Sequence, residues 1–83
     1  MMMTVRVLLF AQLRDHLGAS ELAVSLPSEA TGRELLDALR QRSPRIGPLL
    51  DVSRLAVNQE YVAAELRLQD GDEVVVIPPV SGG

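Results

Sequence analysis

Eighty-three residues make one small domain, and an apolar fraction of 47% is enough to form a core rather than a disordered chain. The basic residues are all arginine, eight against eleven carboxylates for a net charge of −3, which argues against a nucleic-acid binder with its basic patch. Cysteine is absent, which excludes disulfides, thiolate catalysis and cysteine metal ligands; lysine is absent too, which leaves the N-terminus as the one amine able to form an amide with another chain's carboxyl end. Only Phe10 and Tyr61 are aromatic, so the core must be built from Leu, Val, Ile and Ala. No apolar run approaches the length of a membrane span. The opening MMMTVRVLLF lacks the charged region, apolar stretch and cleavage site of a signal peptide, so the expected compartment is the cytoplasm, and the three methionines are given no role.

Thr4 to Phe10 is rich in β-branched residues and reads as a strand. AQLRDHLG suits a short helix with Gly18 as its C-terminal stop. In ELAVSL, the residues Leu22, Val24 and Leu26 alternate along one side of a second strand, which Pro27 ends. TGRELLDALRQRSP is the one substantial helix. Thr31 and Glu34 have capping-box spacing, Leu35, Leu36 and Leu39 form an apolar stripe, Arg40 and Arg42 suit the C-terminal end of the dipole, and Ser43-Pro44 stops it. Arg45 to Ser53 is expected to be an irregular loop with at most one helical turn. LAVNQEYVA predicts two short strands around Asn58-Gln59, since Asn tolerates left-handed turn geometry. A turn at Asp70-Gly71 and a last strand from Glu73 to Ile77 complete the order β-α-β-α-β-β-β.

The first and last strands are the most hydrophobic, as central strands are, so they are expected side by side in the middle of a mixed sheet. Alternation sends Val5, Val7 and Leu9 to one face and Arg6, Leu8 and Phe10 to the other. One helix covers one face of a small sheet. Leu8 and Phe10 on the remaining face are packed by loops, left as ordinary exposed apolar residues, or covered by a partner protein. They are joined there by either Val74 and Val76 or Val75 and Ile77, according to the register.

Little in the chain can do chemistry. His16 is the only histidine, so no histidine-based triad or cluster can form. Asp70, Asp72 and Glu73 lack the ligand count and spacing of a calcium loop and fit a tight turn around Gly71. Ser81 has no visible base, and Gly18, Gly32 and Gly47 do not make a phosphate loop. The expectation is no active site, no metal site and no bound cofactor. What remains is the tail, Pro78-Pro79-Val80-Ser81-Gly82-Gly83, which follows a domain spanning residues 1–77. The prolines disfavour helix and central strand. Six extended residues reach about 20 Å. Gly82 and Gly83 lack Cβ and can thread a channel too narrow for other residues. Such an end is either a frayed terminus or a carboxylate handled inside other proteins' active sites.

The opening VRVLLFAQLRDHLG, the element order and the ending LQDGDEVVVIPPVSGG together resemble the small subunit of molybdopterin synthase, the MoaD-like ubiquitin-like sulfur carriers, over nearly the whole chain. The resemblance implies an α+β, β-grasp fold, a mixed sheet of about five strands on one main helix. It also implies a cycle. A ubiquitin-activating-like enzyme uses ATP to adenylate the carboxyl group of Gly83. A sulfur donor converts it to a thiocarboxylate. The tail then enters the large synthase subunit and delivers sulfur to cyclic pyranopterin monophosphate, forming the molybdopterin dithiolene within a heterotetramer. Gly83 is the implied carrier atom's residue; Gly82, Ser81, Val80, Pro79 and Pro78 are implied tail contacts; Leu8 and Phe10 are the expected dock. The alternatives are a carrier feeding thiazole, cysteine or thiolated-tRNA synthesis, a modifier conjugated to target proteins, and a binding module with an inert tail.

Overall fold

The computed structural model describes residues 1–79. Five strands, β1 (Met2–Leu9), β2 (Glu21–Pro27), β3 (Arg54–Val57), β4 (Glu60–Val62) and β5 (Glu73–Ile77), form one sheet in the order β2-β1-β5-β3-β4. The two central strands, β1 and β5, run parallel, and every other pair is antiparallel. This is the mixed β-grasp sheet expected, with the terminal strands at its centre. Three helices, α1 (Ala11–Leu17), α2 (Gly32–Arg42) and α3 (Gly47–Asp51), complete the domain, and a 3₁₀ turn at Pro44–Ile46 links the last two.

Local chemistry sets most of these boundaries. Gly18 ends α1 at φ 75°, and its N–H donates to the Arg14 carbonyl at 2.9 Å. The capping box of α2 forms as spaced: the Glu34 N–H donates to Thr31 Oγ1, and the Glu34 carboxylate accepts from the Thr31 N–H. Two further N–H groups of its first turn, on Gly32 and Arg33, donate to the carbonyls of Leu66 and Ala64. The helix start is thus held against the 63–67 segment, satisfying donors that a helix leaves unpaired. Asn58 (φ 50°) and Gln59 (φ 74°) both take positive φ, as a two-residue hairpin loop requires.

The core is the covered face of the sheet closed by α2. Val5, Val7 and Leu9 of β1 and Val74 and Val76 of β5 are fully buried against Leu35 and Leu39 of α2. Leu13, Ile46, Leu50 and Leu68 seal its ends. Three expectations change. β1 begins two residues earlier and places Met3 in the core, so one of the opening methionines has a packing role. It also stops at Leu9, leaving Phe10 as the extended N-cap of α1. Residues 45–53 are not an irregular loop: the 3₁₀ turn and α3 bury Ile46 and Leu50. Proline and glycine suppressed the helical reading there, but Pro48 falls at a first-turn position, where its missing N–H costs nothing.

Candidate functional site

β5 leaves its covered face to Val74 and Val76, so Val75 and Ile77 fall on the other. The parallel pairing sets Leu8 beside Val75, and the β3 pairing sets Arg54 beside Ile77 and Ala56 beside Val75. The open register choice therefore resolves to Val75 and Ile77 together with Leu8. All three are half-buried, and Phe10 at the end of the row is 51% exposed. The strip has polar margins. On one side Arg6 pairs with Glu73 at 2.6 Å. On the other the Arg54 guanidinium lies 5.8 Å from the centroid of the exposed Tyr61 ring. An apolar centre with a polar rim is the anatomy of a protein–protein contact.

The strip opens into a groove of about 710 Å³ at the point where β5 ends. It is lined by Phe10, Ala11 and Gln12 of the β1–α1 junction, by Leu49 of α3, and by Val75, Ile77, Pro78 and Pro79 at the end of β5. None of these residues titrates, so the groove has no acid or base of its own and can offer shape and apolar surface. Ala11 takes φ 52°, an unusual conformation for alanine that carries strain of order 1 kcal/mol. That turn sets Phe10 at the groove mouth, where its carbonyl accepts from the Leu13 N–H at 3.1 Å.

Of the residues expected to act, the fold brings Leu8, Phe10, Pro78 and Pro79 to one place. Val80, Ser81, Gly82 and Gly83 lie outside the described residues. Ala11, Gln12 and Leu49 were not anticipated. The signal for Leu49 was its neighbour: a Leu-Leu pair on a short helix sends Leu50 inward and Leu49 outward. For Ala11 the sequence carries no signal.

Of the acids of the DGD turn, Asp70 is exposed, as expected, and Asp72 is half-buried, and both are engaged. Asp70 Oδ1 accepts the Thr4 N–H at 2.8 Å, and Asp72 accepts the Gln69 N–H at 2.8 Å and the Asn58 amide at 3.0 Å. They tie the starts of β1 and β5 to the β3–β4 hairpin. Among the described residues no group of three His, Asp or Glu side chains is placed to hold a metal ion. Among the described residues no helix is long and apolar enough to cross a membrane.

The decisive comparison is with protein families: a model described as the ThiS family matches residues 7–83. The chain belongs to the ThiS family. Within that family, the molybdopterin synthase sulfur carrier subunit of Dictyostelium discoideum is 40% identical over 81 residues, covering 94% of each chain. Two solved structures are also similar. A putative molybdopterin converting factor, subunit 1, from Pyrococcus furiosus superposes with a TM-score of 0.85 at 32% identity, covering 94% of this chain and 99% of that one. SAMP1 from Haloferax volcanii, a small archaeal modifier protein, superposes at 0.83 and 30%, covering 96% and 99%. A chain of a complex of subunits 1 and 2 of molybdopterin-converting factor from Helicobacter pylori superposes at a TM-score of 0.61 and 26% identity, with both chains covered in full.

Proposed function

We propose that this chain is the sulfur carrier subunit of a molybdopterin synthase, working as a substrate-like protein whose chemistry is completed by its partners. The observation that carries the reading is the apolar strip of Leu8, Phe10, Val75 and Ile77, which runs without a break into the groove at the root of the tail. Membership of the ThiS family supports reading the strip as a dock. The strip docks the large synthase subunit and, at another stage, a ubiquitin-activating-like adenylating enzyme. Docking there aims residues 78–83 into the partner's cleft. ATP used by the activating enzyme adenylates Gly83, a sulfur donor displaces AMP to leave a thiocarboxylate, and the carried sulfur passes to cyclic pyranopterin monophosphate. Gly82 and Gly83 supply the narrow end, and Val80 and Ser81 with the two prolines supply contacts along the channel. The cycle runs in the cytoplasm, the assembly is a heterotetramer of two small and two large subunits, and the carrier itself binds no cofactor.

Intact-mass measurement on protein from cells making the cofactor tests this: a fraction will have one carboxyl oxygen of Gly83 replaced by sulfur. Deleting Gly83 will abolish sulfur transfer and leave the melting temperature nearly unchanged. The likeness to a small archaeal modifier keeps a second reading in view. A ladder of heavier conjugates, with no thiocarboxylate, would favour it. Recovery of a thiazole synthase in place of a large synthase subunit would move the chain to another branch of the family.

A further inference from the structure

The sheet has two edges, and they are unlike. β4 is three residues long, whereas β2 runs for seven and pairs with β1 without a bulge from Glu21 to Pro27. In an antiparallel ladder, alternation decides where each backbone group points. The Leu9 N–H donates to the Ser20 carbonyl, so the even-numbered residues of this stretch turn their backbone groups to β1, and Glu21, Ala23 and Ser25 turn theirs outward. The same alternation sends the Arg6 N–H the other way, to the Asp72 carbonyl. Glu21, Ala23 and Ser25 are exposed, and among the described residues no backbone group bonds their outward N–H and C=O groups. A long edge strand is a template for another strand, and sheets guard such edges with lysine, bulges or proline within the strand. β2 has no lysine and no bulge, and its one proline, Pro27, is its last residue.

We propose that β2 pairs with β2 of a second copy, antiparallel and about a two-fold axis at Ala23. A second copy is selected because the strand is complementary to its own reverse. Centred on Ala23, the pairing sets Ala23 against its counterpart, Glu21 against Ser25 and Leu22 against Val24. Every outward N–H and C=O of Glu21, Ala23 and Ser25 then has a partner. The only charge on the strand, the Glu21 carboxylate, meets a hydroxyl donor instead of a like charge. On the covered face the half-buried Leu22 gains Val24 of the other copy beside it. The two sheets join edge to edge into one, with their outer faces on the same side. No residue lining the groove belongs to β2, so the proposed docking strip stays open in the pair. One strand pairing buries less than the roughly 1,200 Å² of a standard stable interface, so the dimer is weak and reversible, with a Kd on the order of 0.1–1 mM. The pairing goes beyond the sulfur-carrier reading and does not depend on it.

The full chain is followed by sedimentation equilibrium and by amide hydrogen exchange from about 10 µM to about 1 mM. The average mass will climb from monomer toward dimer. Protection of the Glu21, Ala23 and Ser25 amides will rise with concentration, while Leu22 and Val24, already bonded to β1, will not change. Ser25→Lys sets a cation opposite each Glu21 and will tighten the dimer about fivefold; Ser25→Glu sets like charges there and will weaken it by about as much. The same two changes at Gln41, exposed on α2, will leave the dimer as it is and so separate local pairing from net charge. Ala23→Pro removes an outward donor without touching the β1 ladder and will leave only monomer. Thermal melts establish which variants are folded, and the exposed Ser25 carries the test if Ala23→Pro is not. A chain still monomeric at about 1 mM would overturn the proposal, as would concentration-dependent protection confined to other residues. Ser25 variants that move the dimer in one direction, or no more than the Gln41 variants do, would overturn it too. Protection of the three amides only on adding the large synthase subunit would give the edge to that partner and refute self-pairing.

Discussion

Val75 and Val76 are the same residue type, adjacent in the same central strand, and their side chains leave on opposite faces. Truncating each to alanine separates the packing role of the sheet from its proposed docking role. Val76 is 0% exposed and touches the α2 side of the core. Removing two buried carbons costs about 1.6 kcal/mol in transfer and more for the cavity, so Val76→Ala should lose about 2–3 kcal/mol. In a domain of this size that is a fall of roughly 10–20 °C in melting temperature. Val75 is half-buried with open space beyond it. Val75→Ala should forfeit only about half of the transfer term, near 1 kcal/mol of stability once the lost β-branched preference is added. The uncovered half is what a docked partner buries, so the same variant should weaken binding to the large synthase subunit by about 0.8 kcal/mol, roughly fourfold in Kd. Differential scanning calorimetry gives the first comparison and isothermal titration with the large subunit the second. Equal thermal losses would refute the assignment of faces. Unchanged affinity for Val75→Ala, beside weakened affinity for folded Val76→Ala, would refute the docking strip.

A β-carbon added at Gly32 would stand 2.6 Å from Leu55 Cδ1 and 3.1 Å from the Ala64 carbonyl oxygen, so Gly32→Ala should cost about 1–3 kcal/mol, read as a lower denaturation midpoint with unchanged m-value. Gln59 holds φ 74° in the hairpin loop, and Gln59→Gly should raise stability by up to about 1 kcal/mol in the same assay. Arg33 pairs with Glu65 and holds its carboxyl below the ordinary glutamate value, chiefly through their hydrogen bond. A depressed carboxyl contributes stability above its unfolded pKa and loses it as pH falls through the folded one. The small melting difference between the parent and Glu65→Gln at pH 7 should therefore close as the solution is acidified below the normal glutamate range, and it should shrink in high salt because both side chains are exposed.

The elements most legible in the sequence are those whose signal is local. The Leu22-Val24-Leu26 alternation, the Thr31/Glu34 box, the Gly18 stop and the Asn58-Gln59 turn each depend on a few adjacent residues, and each forms as read. Alternation marked the faces of β1, whose Thr4 and Arg6 point outward, whereas β5 was legible from hydrophobicity alone, because a strand buried on one face and half-covered on the other can be apolar throughout. That uniformity hid the outward face of β5. Val74 to Ile77 carries no polar residue to mark an outward face, and only pairing with β1 and β3 decides it. The groove was less visible still. Leu49 arrives there because α3 packs Leu50 into the core, and Ala11 because the chain must turn sharply from β1 into α1; both are tertiary outcomes with no side-chain signature.

The strand that feeds the tail is bonded along both edges, to β1 on one side and β3 on the other. Traction applied through Pro78 therefore acts lengthwise on β5 and strains its rungs together, in shear, instead of peeling them apart one by one. In the proposed cycle the end is drawn out of a partner's cleft after each delivery, and such anchorage would share the pull across the whole sheet so that the body withdraws intact.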